Sequence, residues 1–141
     1  MAGPDRIVID ASVALDWFDP AGRGAYAAAV RQAIDQKRIM PIAPAHFDHE
    51  CAAVLMRWYR SNKITRALLE FSCNQLAALQ IQIHAYPSNA AELVALALRY
   101  RLTPFDAVYF DMAVTEGVPI ATLDGGLVQA AKSFKIKHWQ A

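Results

Sequence analysis

The sequence predicts a single α/β domain with a central, mainly parallel, twisted sheet of about five short strands flanked by helices on both faces. Two observations support this prediction. Short apolar runs rich in β-branched residues alternate with longer segments whose apolar residues recur at helical spacing. No repeat, low-complexity tract or linker divides residues 1–141, and this length is typical of one domain.

The elements follow in chain order. The predicted strands are Ile7–Ile9, Arg38–Ile42, Ile81–Ala85, Pro119–Leu123 and a final edge strand at Ile136–Trp139. The predicted helices are a turn or short helix over Ser12–Phe18, an amphipathic helix through Tyr26 and Ile34, a helix over Ala45–Arg60 after Pro44, one from Thr65 through Leu79, helices beginning at Ser88 and Thr103, and Gly125–Phe134. Strands separated by helices form βαβ units, which give a parallel sheet.

The composition indicates a surface that is poor in charge. Hydrophobic residues make up 55% of the chain and charged residues 19%, against usual values of about 45–50% and about 25%. Such a chain is expected to cover apolar surface with a partner, and we predict self-association into a homodimer. The net charge of +1 means that any nucleic-acid interface must be a local patch.

The chain is predicted to be cytoplasmic. Cys51 and Cys73 lack metal-ligand spacing and fit small buried thiols in a reducing compartment. The segment Met1–Arg6 has no secretory pattern. No run approaches the eighteen or so apolar residues that a membrane span needs, so we expect no membrane association.

Four acidic residues occupy positions that packing alone does not explain. Asp10 and Asp124 each close an apolar strand, and the carboxyl ends of parallel strands meet at one edge of a sheet. Asp106 begins a helix, and Glu50 interrupts the apolar side of another. A carboxylate on a buried helix face without a partner is costly. If these acids converge, they form an oxygen-only site that suits Mg²⁺ or Mn²⁺.

Each acid also has a simpler interpretation. Asp10 and Ser12 are typical helix caps. The run from Thr103 to Asp106 has Thr at the cap, Pro at the first helical position and an acid at the third, which is the pattern of a capping box. Asp124 precedes two glycines, a common turn sequence. The sequence leaves these interpretations open.

The chemistry that uses several carboxylates around hard cations is hydrolysis at phosphorus. Four segments form an ordered pattern along the chain: Ile7 to Ser12, Pro44 followed by Glu50, Leu102 to Tyr109, and Ala121 to Asp124. In order and spacing they resemble the signature of PIN-domain ribonucleases, and most of all that of the VapC-type toxins of bacterial toxin–antitoxin pairs. The likeness covers essentially the whole chain. It departs from the family at Ala53, where an Asn is frequent, and at Phe105, where a Tyr is frequent.

The resemblance implies a Mg²⁺- or Mn²⁺-dependent endoribonuclease that cuts RNA and is paired with an antitoxin protein. By position, Asp10 and Asp106 would be the principal metal ligands. Glu50 and Asp124 would complete the cluster directly or through water, so all four acids are candidate catalytic residues. Ser12 and Thr122 would orient carboxylates or waters around the metal.

Arg57 and Arg60 are candidate RNA contacts, because basic and aromatic residues cluster after Glu50 and could hold phosphates and stack a base. The alternative is a solvated helix end, and the spacing of Trp58 from Val54 favours the core.

Other functions compete with the nuclease. His46 and Glu50 share a helix face and could bind zinc or iron, although no second pair of this kind is present. An aspartyl phosphatase would need an acid where Ser12 stands. A non-catalytic binding module whose acids serve as caps remains open, as does an RNA-processing nuclease that is not a toxin. Metal binding separates the module from the enzyme.

Overall fold

The computed structural model describes residues 3–22, 24–86 and 89–141. Within these residues, four strands form one parallel sheet: β1 (Asp5–Ile9), β2 (Ile39–Pro44), β3 (Gln82–His84) and β4 (Ile120–Ala121). Their order across the sheet is β3-β2-β1-β4. The helices are α1 (Ala11–Asp16), α2 (Ala25–Asp35), α3 (His46–Arg60), α4 (Arg66–Ala78), α5 (Ala90–Tyr100), α6 (Pro104–Glu116) and α7 (Gly125–Ser133).

The α/β prediction with a parallel sheet is confirmed, with four strands where about five were expected. The segment Ile136–Trp139 forms an isolated parallel bridge between Ile120 and His138 rather than a strand. Its neighbour β4 is two residues long, so the edge has room for little more than one bridge. The predicted helix start at Ser88 lies outside the described residues, and α5 has Asn89 as its N-cap.

The connections place helices on both faces of the sheet. The connections β1 to β2 and β2 to β3 step in the same direction, whereas the connection β3 to β4 crosses back over the sheet. Because such crossovers are right-handed, α1 to α4 cover one face and α5 and α6 the other. Accordingly, α1 packs on α3, and α6 packs across β1 and β2. The central strand β1 ends in three residues that are each at most 1% exposed.

One prediction about the cysteines is wrong. Cys51 is buried, but Cys73 is exposed. Its helix α4 packs on α3, and Ser72 is its one fully buried residue. A helix this far from the sheet buries a narrow stripe, and Cys73 lies outside it.

Apolar surface remains uncovered, as the composition predicted. Val94 is 53% exposed and Leu98 75% exposed, both on α5. Ala91 and Ala95 are also exposed, and these four positions share one helix face. In the described part of the chain, no helix is both long and apolar enough to cross a membrane.

Candidate active site

The candidate site lies where the sheet topology changes direction. The chain leaves β1 towards β2 on one side, whereas β4 lies on the other side of β1. In open α/β sheets, ligands bind beside such a point, at the carboxyl ends of the strands. Asp10 follows β1 directly, and Asp124 follows β4 after two residues.

Asp10 is buried and held at one oxygen. The residue as a whole is 4% exposed to solvent. Ser12 Oγ donates a hydrogen bond to Asp10 Oδ2 at 2.5 Å, and Thr122 Oγ1 donates to the same atom at 2.7 Å. Although Asp10 stands at the N-cap of α1, its side chain makes no capping hydrogen bond. The simple cap interpretation of Asp10 is therefore wrong.

Both hydroxyl groups are fixed by the backbone of the loop after β4. Leu123 N donates to Ser12 Oγ at 3.0 Å, and Asp124 N donates to Thr122 Oγ1 at 2.9 Å. Because each hydroxyl accepts from a backbone amide, its own proton is directed at Asp10. These bonds join the loops after β1 and β4 through one carboxylate.

Burial raises the pKa of Asp10 from 3.8 to about 6. The hydrogen bonds from Ser12 and Thr122 oppose this rise, and the negative charges of Asp106 and Glu50 add to it. A carboxylate with two hydroxyl donors ordinarily ionises more easily. Removal from water, with like charge nearby, therefore outweighs the hydrogen bonds.

Asp106 serves two purposes at the start of α6. Thr103 Oγ1 accepts a hydrogen bond from Asp106 N at 3.2 Å, and Pro104 occupies the first turn, so the capping geometry is present. The Asp106 carboxylate also senses the other acids. Burial raises its pKa first, and the charges of Asp124 and Glu50 raise it further.

Asp124 is the N-cap of α7, where its Oδ2 accepts a hydrogen bond from Leu127 N at 2.9 Å. The structure thus has a helix cap at Asp124 where the sequence suggested a turn, because the two glycines are the first residues of α7. This carboxylate still acts electrostatically on Asp106. A helix cap and a member of an acidic cluster are compatible roles for one residue.

Glu50 is half-buried on the first turns of α3 and faces His46. His46 Nε2 lies 3.0 Å from Glu50 Oε1. The His46 ring stands edge-on to Tyr109, with ring centroids 4.6 Å apart, and contacts Phe105 at 5.4 Å. His49 is exposed. The sequence alone does not identify Tyr109 as a residue of the site, because it looks like one more apolar position of α6.

The four acids form an electrostatic neighbourhood. Asp10 is repelled by Asp106 and Glu50, and Asp106 by Asp124 and Glu50. Among the residues that the structure describes, no three His, Cys, Asp or Glu side chains are already grouped to hold a metal ion. The oxygens of these mutually repelling carboxylates are the ligands that a hard cation prefers. Their spacing is wider than that of a complete set of metal ligands.

The candidate RNA contacts lie away from the acids. Arg57 and Arg60 are exposed and follow Glu50 by seven and ten residues on α3, which is about 10 and 15 Å along the axis. Trp58 is partly buried against the core, as predicted, and Lys63 Nζ lies 4.5 Å from the centre of its ring.

A largely apolar pocket of about 300 Å³ opens beside the acids, between the starts of α3 and α6. His46, Tyr86, Phe105 and Val108 are among its lining residues. Phe105 is 60% exposed, so the residue preceding Asp106 forms the rim of this pocket rather than part of the core. The sequence showed the aromatic side chain but not its exposure.

The fold and the site together define a class of protein, namely α/β proteins with carboxylates where the order of the parallel strands reverses. Comparison with known families identifies the family within this class. The model of the PIN domain family matches residues 7–133. The chain belongs to the PIN domain family.

Its relatives agree with that assignment. Over 127 residues, the chain is 31% identical to Ribonuclease VapC3 of Mycobacterium tuberculosis, from strains CDC 1551 / Oshkosh and H37Rv, which covers 90% of this chain and 88% of that protein. Two solved structures share the fold. PAE2754 from Pyrobaculum aerophilum has a TM-score of 0.68 at 17% identity and covers 90% of this chain and 79% of its own. FitAcB from Neisseria gonorrhoeae has a TM-score of 0.60 at 15% identity, with 95% and 96% covered.

Proposed function

We propose that this protein is a Mg²⁺- or Mn²⁺-dependent endoribonuclease and the toxin of a toxin–antitoxin pair. The observation that supports it best is the buried Asp10 carboxylate at the switch point, with two further acids close enough to act on it. Asp10 is 4% exposed, has a raised pKa, and is repelled by two further acids. A fold keeps such a cluster when a cation relieves the repulsion. Membership of the PIN family and likeness to a protein named Ribonuclease VapC3 support the reaction class.

In this proposal Asp10 and Asp106 hold the cation, with Glu50 and Asp124 completing the cluster directly or through water. When bound, the cation supplies charge stabilisation at the scissile phosphate and an acidified water as nucleophile. Ser12 and Thr122 keep Asp10 in one orientation, with Oδ2 occupied by their hydroxyl protons. The fixed geometry lowers the reorganisation needed when RNA binds.

Replacing Asp106 with Asn tests the proposal directly. Asparagine is nearly isosteric and leaves the Thr103 cap in place, since that bond uses the Asp106 backbone N–H. We expect the variant to fold, to lose Mn²⁺ binding by calorimetric titration at neutral pH, and to lose cleavage of single-stranded RNA. Asp48→Asn is the control, because Asp48 is an exposed acid on α3 and should bind and cleave as wild type.

The rival function is a binding module whose acids are caps and turns. The Asp124 carboxylate does cap α7, so this alternative has structural support at that acid, whereas the capping bond at Asp106 uses the backbone N–H and not the carboxylate. It predicts no saturable binding at millimolar Mn²⁺ and no cleavage by the wild-type chain. Cleavage retained by Asp106→Asn would also reject the proposed mechanism. A nuclease that processes RNA outside a toxin–antitoxin pair would pass the metal test and would differ in lacking an inhibitory partner.

We propose that the protein is a homodimer and that the exposed apolar face of α5 contributes to the interface. Leu98 is 75% exposed and Val94 53% exposed on this face. Light scattering at tens of micromolar, a range in which stable dimers persist, should give twice the monomer mass, and Leu98→Glu should halve it. A monomeric wild-type chain under those conditions would reject this part.

We propose cytoplasmic location and an antitoxin that covers the acidic cleft. Both cysteines are free thiols, which suits a reducing compartment. The apolar pocket at the cleft rim offers a hold for an apolar side chain of such a partner. An equimolar copurifying partner should suppress RNA cleavage, and full cleavage by the complex would contradict the toxin–antitoxin assignment.

A further inference from the structure

Three buried polar atoms beside the acids lack a well-aligned hydrogen-bond partner among the described residues. They are His46 Nε2, Glu50 Oε1 and the Tyr109 hydroxyl oxygen. Buried polar groups are nearly always hydrogen-bonded, so three such atoms in one place require an explanation. His46 and Glu50 lie on α3, and Tyr109 lies on α6, the helix that also carries Asp106.

The three groups contact one another. His46 Nε2 lies 3.0 Å from Glu50 Oε1, a distance within hydrogen-bonding range although the ring N–H is not aligned with the oxygen. The Tyr109 hydroxyl interacts with the Glu50 carboxylate, and the His46 ring stands edge-on to Tyr109. One carboxylate thus faces two potential donors, each held in place by ring packing.

Helical spacing explains part of this arrangement. His46 and Glu50 are four residues apart on α3 and therefore share a face. Tyr109 follows Asp106 by three residues on α6, so it lies one turn below that acid on the same side. Tyr109 is fully buried, and the His46 ring packs between it and Phe105. Tyr109 cannot move without disturbing the core, and the His46 ring is restrained by its contacts with Tyr109 and Phe105.

We propose that His46 and Tyr109 are positioning residues that hold the Glu50 carboxylate by one oxygen for cation binding, an inference that rests on the proposed function. The arrangement parallels Asp10, where Ser12 and Thr122 donate to a single oxygen. Held at Oε1, Glu50 would keep its other carboxylate oxygen free to hold a cation. His46 then acts through Glu50 and is not itself a ligand of zinc or iron.

The test measures Mn²⁺ binding by calorimetric titration of the full chain at neutral pH, and melting temperature shows that each variant folds. His46→Phe keeps the ring and removes the donor, and we expect Mn²⁺ affinity to fall roughly tenfold, the lower end for partners of metal ligands. His46→Gln returns a donor near the Nε2 position and should recover most of that loss. Tyr109→Phe removes one oxygen and should weaken binding severalfold.

Two controls separate positioning from general damage. His49→Phe changes an exposed histidine of the same helix and should bind Mn²⁺ as wild type. In a Glu50→Gln background, His46→Phe should cause no further loss, because the residue it positions has been altered. A tenfold loss in both backgrounds, or wild-type affinity in His46→Phe and Tyr109→Phe, would overturn the proposal.

The outcomes also distinguish this inference from the proposed function. If wild type binds Mn²⁺ and Asp106→Asn does not, the cation site stands, and the His46 and Tyr109 variants decide the positioning role by themselves. If wild type binds no Mn²⁺, the proposed function and this inference fall together. A His46→Gln variant as weak as His46→Phe would show that the imidazole itself is required, which would favour direct ligation.

Discussion

The two halves of the acidic site are built differently. On the side of β1 and β4, Asp10 is fixed by two hydroxyl donors, and backbone amides orient both hydroxyls. On the side of α3 and α6, Glu50 faces His46 and Tyr109 without aligned hydrogen bonds. The hydrogen bonds of the first half are complete without a ligand. In the second half, donors and acceptors lie close together, but their hydrogen bonds are not aligned.

This difference follows from where each half obtains its donors. Strand ends bring backbone amides and short hydroxyl side chains to fixed positions, so their bonds form with the sheet itself. The helical half depends on long side chains whose charges repel across the cleft. If a cation binds and neutralises that repulsion, we expect the strand half to orient the site and the helical half to respond to metal.

The largest expected effect is a pH dependence set by Asp10. The pKa of Asp10 rises from 3.8 to about 6 on folding, and at about 1.4 kcal/mol per pKa unit this corresponds to about 3 kcal/mol. Because the folded state binds the proton more tightly, this stability is complete below pH 3.8 and is lost as pH rises through about 6. Urea unfolding of metal-free protein should show the loss between pH 4 and 7.

Asp10→Asn is the matched variant for that measurement, because it cannot ionise. Its unfolding free energy should vary less over the same pH range, and it should not cleave RNA. Added Mn²⁺ should stabilise the wild-type protein at pH 7, by about 2.7 kcal/mol when its concentration is one hundred times the dissociation constant. If the unfolding free energy of the metal-free wild type instead rises from pH 4 to 7, burial does not raise the pKa of Asp10.

Removing one hydroxyl should break the ordered half of the site. Thr122→Val keeps the shape of the side chain but leaves Asp124 N without its acceptor and Asp10 with one donor. We expect a loss of about 1–3 kcal/mol in unfolding free energy and a clear fall in cleavage rate. Thr122→Ser retains the hydroxyl and should lose much less of either. Equal losses in both variants would show that the hydroxyl is not responsible, because Thr122→Ser keeps it and Thr122→Val removes it.

The same contrast explains what the sequence could predict. Asp10 and Asp124 were located because strand ends of a parallel sheet converge by rule, and periodicity was enough to find those ends. Which of the simple interpretations held was not visible: Asp124 caps its helix through its side chain and Asp10 does not. That outcome depends on Thr122, which lies 112 positions from Asp10 and competes successfully for the carboxylate.

The helical half was harder to predict, because its contacts cross between helices. The pairing of His46 with Glu50 follows from four-residue spacing and was visible as a possible metal pair. The approach of Tyr109 depends on how α6 packs beside α3, and no local pattern encodes this. The final strand failed for a related reason, since its pairing depends on the length of β4 rather than on its own apolar residues.

Asp124 allows the cap to be separated from the charge, with a smaller effect. Asparagine caps helices as well as aspartate does, whereas alanine costs about 1 kcal/mol. Asp124→Asn should therefore keep wild-type stability and weaken Mn²⁺ binding, and Asp124→Ala should lose both. Thermal unfolding and Mn²⁺ titration of the pair give the result. Unchanged Mn²⁺ affinity in Asp124→Asn would leave Asp124 as a cap alone.

The smallest effect is expected at the far end of α3. Arg57 and Arg60 are exposed and lie about 10 and 15 Å beyond Glu50 along the helix, so we expect them to contact RNA phosphates away from the four acids rather than at the scissile bond. Each change to Ala should weaken RNA binding equally for all sequences and reduce the salt dependence by about 0.7 in slope, as for one single-strand phosphate contact.

Lys132→Ala is the control for these arginines, because Lys132 is exposed in the last turn of α7. Binding is best measured with Asp106→Asn protein, in which RNA should persist uncut. If Arg57→Ala and Arg60→Ala leave RNA affinity and its salt slope unchanged, and lose only the few tenths of a kcal/mol typical of a cation at a helix C-terminus, the two side chains are a solvated helix end.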